Sequence, residues 1–219
     1  EDGNYLQSDT NDKVIGNIQP DWIGGISNKF IYKNFALNFL IDIKKGGSVF
    51  SLDQGYGQDT GLYPETAGTN DLGNPVRNTL ADGGGYINSG VMENPAYVPG
   101  NGQPQYITNT IRVDASDSSE ASGLGYGISA NPDKAYVYDA SYVKLREVGL
   151  TYTLPSKYLE RTFIKGMSFS VLGNNLWIIH KNLPYADPEA GTSSGNVQGY
   201  QSGVMPTVKV YSFNLKVNF

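Results

Sequence analysis

The stretch TVKVYSFNLKVNF (207–219) decides the fold of this chain. Over its last nine residues, apolar and polar side chains alternate without a break. The apolar positions are Tyr211, Phe213, Leu215, Val217 and Phe219, and the polar positions are Ser212, Asn214, Lys216 and Asn218. Because successive side chains of a strand point to opposite faces, the pattern predicts a strand with one apolar and one polar face. Such strands occur both in soluble β-sandwiches and in membrane β-barrels.

Two features of this strand favour a membrane barrel with a lipid-facing apolar side. The apolar face begins and ends with aromatic residues, as the strands of outer-membrane barrels do. From Tyr211 to Phe219 the strand is roughly 27 Å long at about 3.4 Å per residue. A tilt of about 40° reduces this to roughly 21 Å, close to the apolar band of about 25 Å. The terminal Phe219 on an alternating strand also resembles the assembly signal of the outer-membrane insertion machinery.

Further segments show the same strand periodicity. In residues 35–44 the odd positions are apolar, with Leu40 as an exception on the other face. Only Lys33 and Asn34 separate this run from the preceding one, which is the spacing of a hairpin. In residues 141–153 the apolar positions change parity halfway, which predicts a bulge or a strand that rises above the lipid. The predicted strands are residues 22–32, 35–44, 141–153, 167–177 and 207–219.

The connections between these strands fit an outer-membrane barrel, which alternates short periplasmic turns with long external loops. If the last strand runs towards the periplasm, the short links 33–34 and 154–166 are periplasmic. The long links 45–140 and 178–206 are then extracellular, and a structureless loop as long as 45–140 is rare in a compact soluble domain. Five strands cannot close a barrel, since bacterial single-chain barrels have about eight strands or more. The sequence therefore predicts an all-β fold, the C-terminal five antiparallel strands of a large transmembrane β-barrel.

Composition agrees with this fold and excludes several functions. The chain has 219 residues, with 27 Gly and 16 Tyr, residue types that suit turns and pleated surfaces. It has no Cys, which excludes disulfides and thiolate metal sites. The net charge is -5 and Lys and Arg form no run, so nucleic acid is not an expected partner. No apolar stretch approaches the length of a membrane-spanning helix, since Asn38 and Asp42 interrupt the longest candidate.

Several segments together resemble the C-terminal part of the SusC/RagA family of TonB-dependent outer-membrane transporters. Each segment is a weak signal alone, but their shared order makes the resemblance specific. Residues 46–135 match no pattern of the family, as expected for a variable external loop. The matching segments are VIGNIQPDWIGGISNKFIYKNFALNF (14–39), ASYVKLREVGLTYTLP (140–155), SFSVLGNNLWII (168–179), DPE (187–189) and YSFNLKVNF (211–219).

The resemblance implies a Gram-negative outer-membrane importer with a barrel of about 22 strands around a plug. It implies energy from the TonB complex and a SusD-like surface lipoprotein that acts as a lid and delivers oligosaccharides or peptides. The plug and the TonB-contact segment are absent from this chain. The expected partners are the remainder of the barrel and plug, the lipoprotein, the TonB complex, outer-membrane lipid and the substrate.

No motif of the chain predicts an enzyme, a cofactor or a metal site. The only histidine, His180, lies beside Trp177 at the top of a strand and lacks a nucleophile motif. GLGYG (123–127) lacks the Lys and the strand-to-helix frame of a phosphate-binding loop. The acidic residues Asp114, Asp117 and Glu120 do not have the spacing of a calcium loop.

Residues in the predicted external loops are candidate contacts for a ligand or a lid protein. Aromatic rings with amide donors suit sugars, peptides or a protein partner, and packing among the loops explains them equally. Asp187 and Glu189 flank Pro188, where they either fix a turn or bind a ligand. The candidates are Tyr56, Tyr63, Tyr86, Tyr97, Tyr106, Trp177, His180, Asp187 and Glu189.

The alternative function is a secreted or surface β-sandwich module that binds glycans. The two hypotheses differ at the apolar faces of the strands. A sandwich buries these faces against a second sheet, whereas a barrel wall exposes them to lipid.

Overall fold

The computed structural model describes residues 3–115, 127–128, 131–191 and 195–219. Strands dominate this part of the chain, and one α-helix, α1 (Leu52–Asp59), is present in it. The strands are β1 (Trp22–Tyr32), β2 (Phe35–Lys45), β3 (Ser48–Ser51), β4 (Tyr86–Ile87), β5 (Val91–Glu93), β6 (Tyr106–Thr108), β7 (Arg112–Val113), β8 (Val137–Asp139), β9 (Tyr142–Thr153), β10 (Gly166–Lys181), β11 (Tyr200–Gln201) and β12 (Val210–Asn218).

The chain divides into two compact units. The loop unit consists of Glu1–Ile15 and Phe50–Val137, and the sheet unit consists of Gly16–Val49 and Tyr138–Phe219. The sheet unit contains the five long strands in the order β1-β2-β9-β10-β12, with every neighbouring pair antiparallel. This confirms the predicted fold class. Strand β10 continues to Lys181, so the predicted link 178–206 begins too early, and β12 begins at Val210 rather than at residue 207.

The register of the sheet brings the apolar positions of neighbouring strands onto one face. Phe35 pairs with Tyr152, Tyr152 with Phe169, and Phe169 with Leu215. The rings of Phe35 and Tyr152 are in contact, with centroids 4.7 Å apart. Since directly paired residues share a face, this row is apolar across four strands. A second row parallel to it consists of Leu37, Leu150, Val171 and Phe213.

The predicted hairpin and the predicted bulge are both present. Lys33 adopts a φ of 53° in the two-residue turn between β1 and β2. On β9 the register shifts because Leu40 pairs with Glu147 and the next residue of β2 pairs with Leu145. Arg146 is therefore the extra residue, and this bulge explains the change of parity in residues 141–153.

Strand β10 is irregular opposite the same part of β9. Its register shifts between Asn174 and Trp177 and again between Ile178 and His180. Asn175 lies in the first shift with a φ of 53°, a left-handed conformation that Asn tolerates better than most residues. The part of the sheet near the start of β9 and the end of β10 thus carries irregularities on two neighbouring strands.

Few residues of the sheet unit are fully buried. Val49, Ala140 and Leu183 form its small hydrophobic cluster, against which Tyr138 and Ala186 pack. This cluster lies at the end of the sheet where β9 begins and β10 ends, so the rest of the sheet has little packed against it.

The loop unit corrects the prediction of a structureless link over residues 45–140. It contains α1, the pair β4–β7 and the pair β5–β6. Asn70 donates to the carbonyls of Gly83 and Gly85 at 2.8 and 3.0 Å, and Arg112 pairs with Asp71 at 2.6 Å. Side-chain bonds to turns hold this unit together, and such bonds leave no hydrophobic periodicity in the sequence.

The remaining helical turns are short. One of them is a 3-10 turn at Ser156–Tyr158, in the link between β9 and β10. Throughout the described ranges, every helix is too short or too polar to cross a membrane.

Candidate functional site: an apolar sheet face and a charged cluster

The apolar face of the sheet is exposed. Phe213 and Leu215 on β12 are 73% and 63% exposed, values normally found for polar surface residues. Tyr211 and Phe219 are also exposed, and Val217 is half-buried. Exposed apolar residues on the other strands of this face include Trp22, Ile26, Phe30, Tyr32, Phe35, Leu37, Leu150, Phe169 and Trp177. A continuous apolar patch of this extent marks a surface that meets lipid or another protein.

Phe219 has a structural partner at the edge of this face. Its ring stacks on that of Phe163, with centroids 5.6 Å apart and an interplanar angle of 10°. Both rings remain exposed. Since Phe163 lies in the short link between β9 and β10, the two rings form an aromatic pair at the end of the sheet opposite the small core.

A cluster of charged side chains lies on the polar face. Asp42 comes from β2, Lys144 and Arg146 come from β9, and Asp187 and Glu189 come from the segment after β10. We call residues 183–190 (LPYADPEA) the anchored turn.

Lys144 and Asp187 are the two most deeply buried members of the cluster. The ammonium group of Lys144 donates to Asp187 Oδ1 and to Glu189 Oε2, each at 2.5 Å. The side chains of Lys144 and Asp187 are only 3% and 2% exposed. A buried charge without partners is strongly destabilising, so the two carboxylates are what permits a lysine at this position.

Arg146 reaches the cluster because of the bulge on β9. Its Nε and Nη2 donate to Asp42 Oδ2 at 2.8 and 2.7 Å. Nη2 also donates to Glu189 Oε1, and Nη1 donates to Asn175 Oδ1 at 3.2 Å. The guanidinium thus joins two strands of the sheet to the anchored turn, a fork geometry that a lysine does not offer.

Neutral groups complete the network. The Tyr142 hydroxyl donates to Glu189 Oε1 at 2.8 Å, and the Thr207 hydroxyl donates to Asp187 Oδ2 at 2.6 Å. Lys181 donates to the carbonyl of Ala186 at 2.6 Å. The turn is therefore held from β9, from the end of β10 and from the segment before β12.

The contacts within the cluster favour the ionised form of both carboxyl groups of the turn. Burial disfavours the charged form of Asp187, but hydrogen bonds from Lys144 and Thr207 outweigh it and lower the pKa of Asp187. Burial likewise opposes the charged form of Glu189, and bonds from Arg146, Lys144 and Tyr142 lower the pKa of Glu189.

The structure separates the candidate contacts that the sequence suggested. Asp187 is buried and fixes the turn, which favours that role over ligand binding. Trp177 and His180 are exposed on β10. In the loop unit, Tyr56 and Tyr106 are exposed, whereas three other tyrosines are half-buried: Tyr63, Tyr86 and Tyr97. Asp117, Glu120 and most of GLGYG (123–127) lie outside the described residues.

Sequence reasoning missed four members of the cluster. In the sequence, Asp42 interrupts an apolar run, and no role is assigned to Lys144, Arg146 or Tyr142. The available signal was their place in the pattern, since ASYVKLREVGLTYTLP and DPE are two of the segments that resemble SusC/RagA proteins. The structure shows that these two segments bond to each other.

Two shallow clefts border the cluster on the polar face. One, of about 520 Å³, is lined by Gly24, Gly25, Asp42, Arg146 and Glu147 among others. The second, of about 400 Å³, is lined by Lys44, Tyr142, Pro188 and Glu189 among others. Nowhere in the described ranges do three or more His, Asp or Glu side chains group as metal ligands would.

Comparisons with known proteins give similar sequences and folds. TonB-dependent receptor P3 of Formosa agariphila is 28% identical over 224 residues, covering 100% of this chain and 18% of the relative. TonB-dependent receptor P26 of the same organism is 25% identical over 224 residues, covering 100% of this chain and 19% of the relative. The chain thus spans about a fifth of the length of these curated relatives. No family model matches the chain.

Solved structures of the RagAB system share this fold. The RagAB peptide importer in the closed-closed state has a TM-score of 0.55 and 17% identity, covering 95% of this chain and 18% of that chain. The RagAB peptide transporter also has a TM-score of 0.55 and 17% identity, covering 92% of this chain and 17% of that chain. These relatives are outer-membrane transporters rather than enzymes, as the sequence predicts for this chain. The order of the motifs agrees with these comparisons: this chain is similar along its whole length to segments of TonB-dependent receptors, and it has the fold of a segment of the RagAB structures.

Proposed function

We propose that this chain forms part of the wall and external loops of a TonB-dependent importer in a Gram-negative outer membrane. The importer takes up oligosaccharides or peptides and works with a SusD-like surface lipoprotein. The observation that carries the proposal is the apolar face of the sheet, which is continuous across the five strands and exposed along them. Similarity to TonB-dependent receptors over the whole chain supports the same assignment.

A lipid-facing wall accounts for both sides of the sheet. The apolar face carries Phe169 and Leu215, while the polar face carries Ser170 and Asn214 at the adjacent positions. The two outer strands, β1 and β12, each lack a partner on one side, which a larger barrel would supply. A β-sandwich would instead need a second sheet over the apolar face. In the part of the chain that the structure describes, the apolar residues of this face are exposed, which supports a barrel wall over a sandwich.

The direction of the strands supports the assignment of outside and inside. Because the strands are antiparallel, the two short links share one end of the sheet with Phe219, and the long links share the other end. We assign the end with the Phe163–Phe219 pair to the periplasm, with Phe219 as an interfacial anchor and assembly signal. The loop unit then lies outside, where exposed rings such as Tyr56 and Tyr106 contact the lipoprotein or the substrate.

The wall assignment is tested by charge substitutions on the two faces of β12. In the full-length receptor folded into lipid, Leu215→Arg should reduce the free energy of unfolding by roughly 2–4 kcal/mol. Asn214→Arg, one residue away on the polar face, is the matched control and should cost much less. Equal losses for the two variants would contradict a lipid-facing apolar side.

The transport assignment is tested by uptake and by co-purification. Cells that lack the receptor should lose TonB-dependent uptake of either oligosaccharides or peptides, and the full-length receptor should co-purify with a surface lipoprotein. Tyr56→Ala and Tyr106→Ala should weaken one of these activities, whereas Tyr106→Phe should retain it if ring stacking is the contact. Unchanged uptake of both substrate classes after deletion would refute the proposal.

A further inference from the structure

We propose that Lys144 and Arg146 are positioning residues that lock the anchored turn (183–190) across the polar face, where it narrows the substrate passage. The proposal rests on the proposed function, because the polar face must line that passage. The attachment of the anchored turn to the sheet depends only on the observed contacts.

The turn is bonded to the sheet by side chains at two carboxylates. Asp187 accepts hydrogen bonds from Lys144 at 2.5 Å and from the Thr207 hydroxyl at 2.6 Å. Glu189 accepts hydrogen bonds from Lys144 at 2.5 Å, from the Tyr142 hydroxyl at 2.8 Å and from Arg146. All of these donors lie on the sheet or beside β12, so the turn cannot move away without breaking several charged hydrogen bonds at once.

Burial of the ion pair between Lys144 and Asp187 makes partial opening of the anchored turn unfavourable. Lys144 and Asp187 are almost fully buried, so separating them would leave an unpaired charge in a poorly solvated site. Leu183 at the start of the turn is fully buried in the small core with Val49 and Ala140. The turn is therefore held by apolar packing at one end and by ion pairs at the other.

The backbone of the turn shows what this anchoring imposes. Tyr185 adopts a φ of 54°, a left-handed conformation that is unfavourable for a side chain of its size. It lies between buried Leu183 and buried Asp187, while its own side chain is 57% exposed. Such a conformation persists when the surroundings determine it, and here the anchors on both sides do so.

The anchored turn lies at a position where it would narrow the entrance of the substrate passage. The anchored turn covers the polar face at the end where β9 begins and β10 ends, beside the cleft lined by Lys44, Tyr142 and Glu189. We assigned this end of the sheet to the external side. A turn fixed there reduces the width available at the entrance and remains in place during import.

The first test measures opening of the turn in the purified full-length receptor. Ala190 is buried, and this chain has no cysteine, so Ala190→Cys places a shielded thiol in the turn. Lys144→Met in this background should accelerate maleimide labelling at least tenfold. The matched control is Lys29→Met, which removes an exposed lysine from the polar face of β1 and should leave the labelling rate within twofold.

The second test measures the passage in cells. Lys144→Met should raise the TonB-dependent uptake of a bulky oligosaccharide or peptide several-fold per receptor copy at the surface. A purely structural role would reduce the number of surface copies but not increase uptake per copy. If Lys144→Met does not reach the membrane, Glu189→Gln replaces it, because this change keeps the volume and affects a side chain that is partly exposed.

If Lys144→Met and Glu189→Gln both leave the labelling rate unchanged, these side chains do not anchor the turn. If labelling becomes faster but uptake per surface copy does not rise, the turn does not narrow the substrate passage. Failure of the proposed function looks different, because the unmodified receptor would then show no TonB-dependent uptake. The labelling result does not depend on that uptake.

Discussion

Lys144 illustrates how a strand can carry a charge at a buried position. Its ammonium loses its hydration and gains two carboxylates at 2.5 Å. Pairs of this kind add little net stability over an apolar residue, yet removing one partner is costly because the other charge stays buried. The cluster is therefore better understood as a device that specifies where the anchored turn lies than as a source of stability.

The carboxylates of the turn make its anchoring dependent on pH. Asp187 and Glu189 have lowered pKa values in the folded chain, where they face Lys144, Arg146, Tyr142, Asp42 and Lys181. In the unfolded chain these groups bind protons at about pH 3.9 for Asp and about pH 4.3 for Glu. Between these values and the lower folded pKa values the unfolded state binds more protons. The anchoring is thus complete above the unfolded values and is lost as the pH falls through the folded ones.

We accordingly expect the turn to loosen below about pH 4 while the sheet persists. The backbone amides of Ala190 and Gly191 bond to carbonyls within the turn at 2.9 Å. Their hydrogen-exchange protection, corrected for the intrinsic rate, should stay constant from about pH 6 to about pH 4 and fall as the pH is lowered further to about pH 2. The amide of Val171 in the centre of β10 serves as the control and should keep its protection. Constant protection of Ala190 and Gly191 over this range would show that the carboxylates do not hold the turn.

At the scale of elements, paired bulges on β9 and β10 direct side chains into the cluster. The bulge at Arg146 places this side chain and that of Glu147 on the polar face together, where Glu147 receives Asn38 at 2.8 Å. On β10, Asn175 accepts from Arg146 and donates to the Val208 carbonyl at 3.2 Å. Bulges commonly re-aim side chains next to functional sites, and here they join three strands to one network.

Substitutions at Asn175 separate its backbone role from its side-chain role. Asn175→Gly removes both hydrogen bonds but tolerates the left-handed φ, whereas Asn175→Ala removes the bonds and retains the strain. The Ala variant should therefore be less stable than the Gly variant by roughly 1 kcal/mol. Urea unfolding of the full-length receptor in lipid measures the difference. If the two variants unfold at the same urea concentration, the conformation of Asn175 contributes nothing to stability.

At the scale of the whole molecule, the two units expose different kinds of surface. The loop unit holds itself together with hydrogen-bonded turns and a few buried residues such as Val113 and Tyr136. In the part that the structure describes, the sheet unit has one small core and an apolar face whose side chains are exposed. In the proposed barrel, lipid and neighbouring strands would cover this face and the open sheet edges.

The isolated chain should consequently depend on detergent. Expressed alone in water, it leaves two open sheet edges and an apolar face, and both promote aggregation. We expect sedimenting aggregates in buffer and a smaller, uniform species in detergent, as measured by analytical ultracentrifugation. A variant with Phe213→Thr and Leu215→Thr should need less detergent. A chain that remains monomeric and melts cooperatively without detergent would contradict the barrel assignment.

The sequence by itself determined the features that repeat over short distances. The alternation in residues 207–219, the two-residue spacing at Lys33 and Asn34, and the change of parity in 141–153 correctly predicted a strand, a hairpin and a bulge. These signals are local because side-chain direction in a strand follows from the backbone of the strand itself. The order of the motifs likewise led to the resemblance to SusC/RagA transporters from the sequence alone.

Only the tertiary structure decided which polar residues meet. Arg146 and Asp42 are 104 residues apart in the chain, and Lys144 and Asp187 are 43 apart, so no periodicity relates them. Their contact depends on the register of β2 against β9, on the bulge at Arg146 and on the return of the anchored turn. Burial then decides their role, because a lysine at a polar strand position is a solvated side chain until a loop covers it. The structure of the loop unit could not be predicted from the sequence for the same reason. Its turns are stabilised by hydrogen bonds from residues distant in the sequence, such as those of Asn70 and Arg112 to the carbonyl of Gly85.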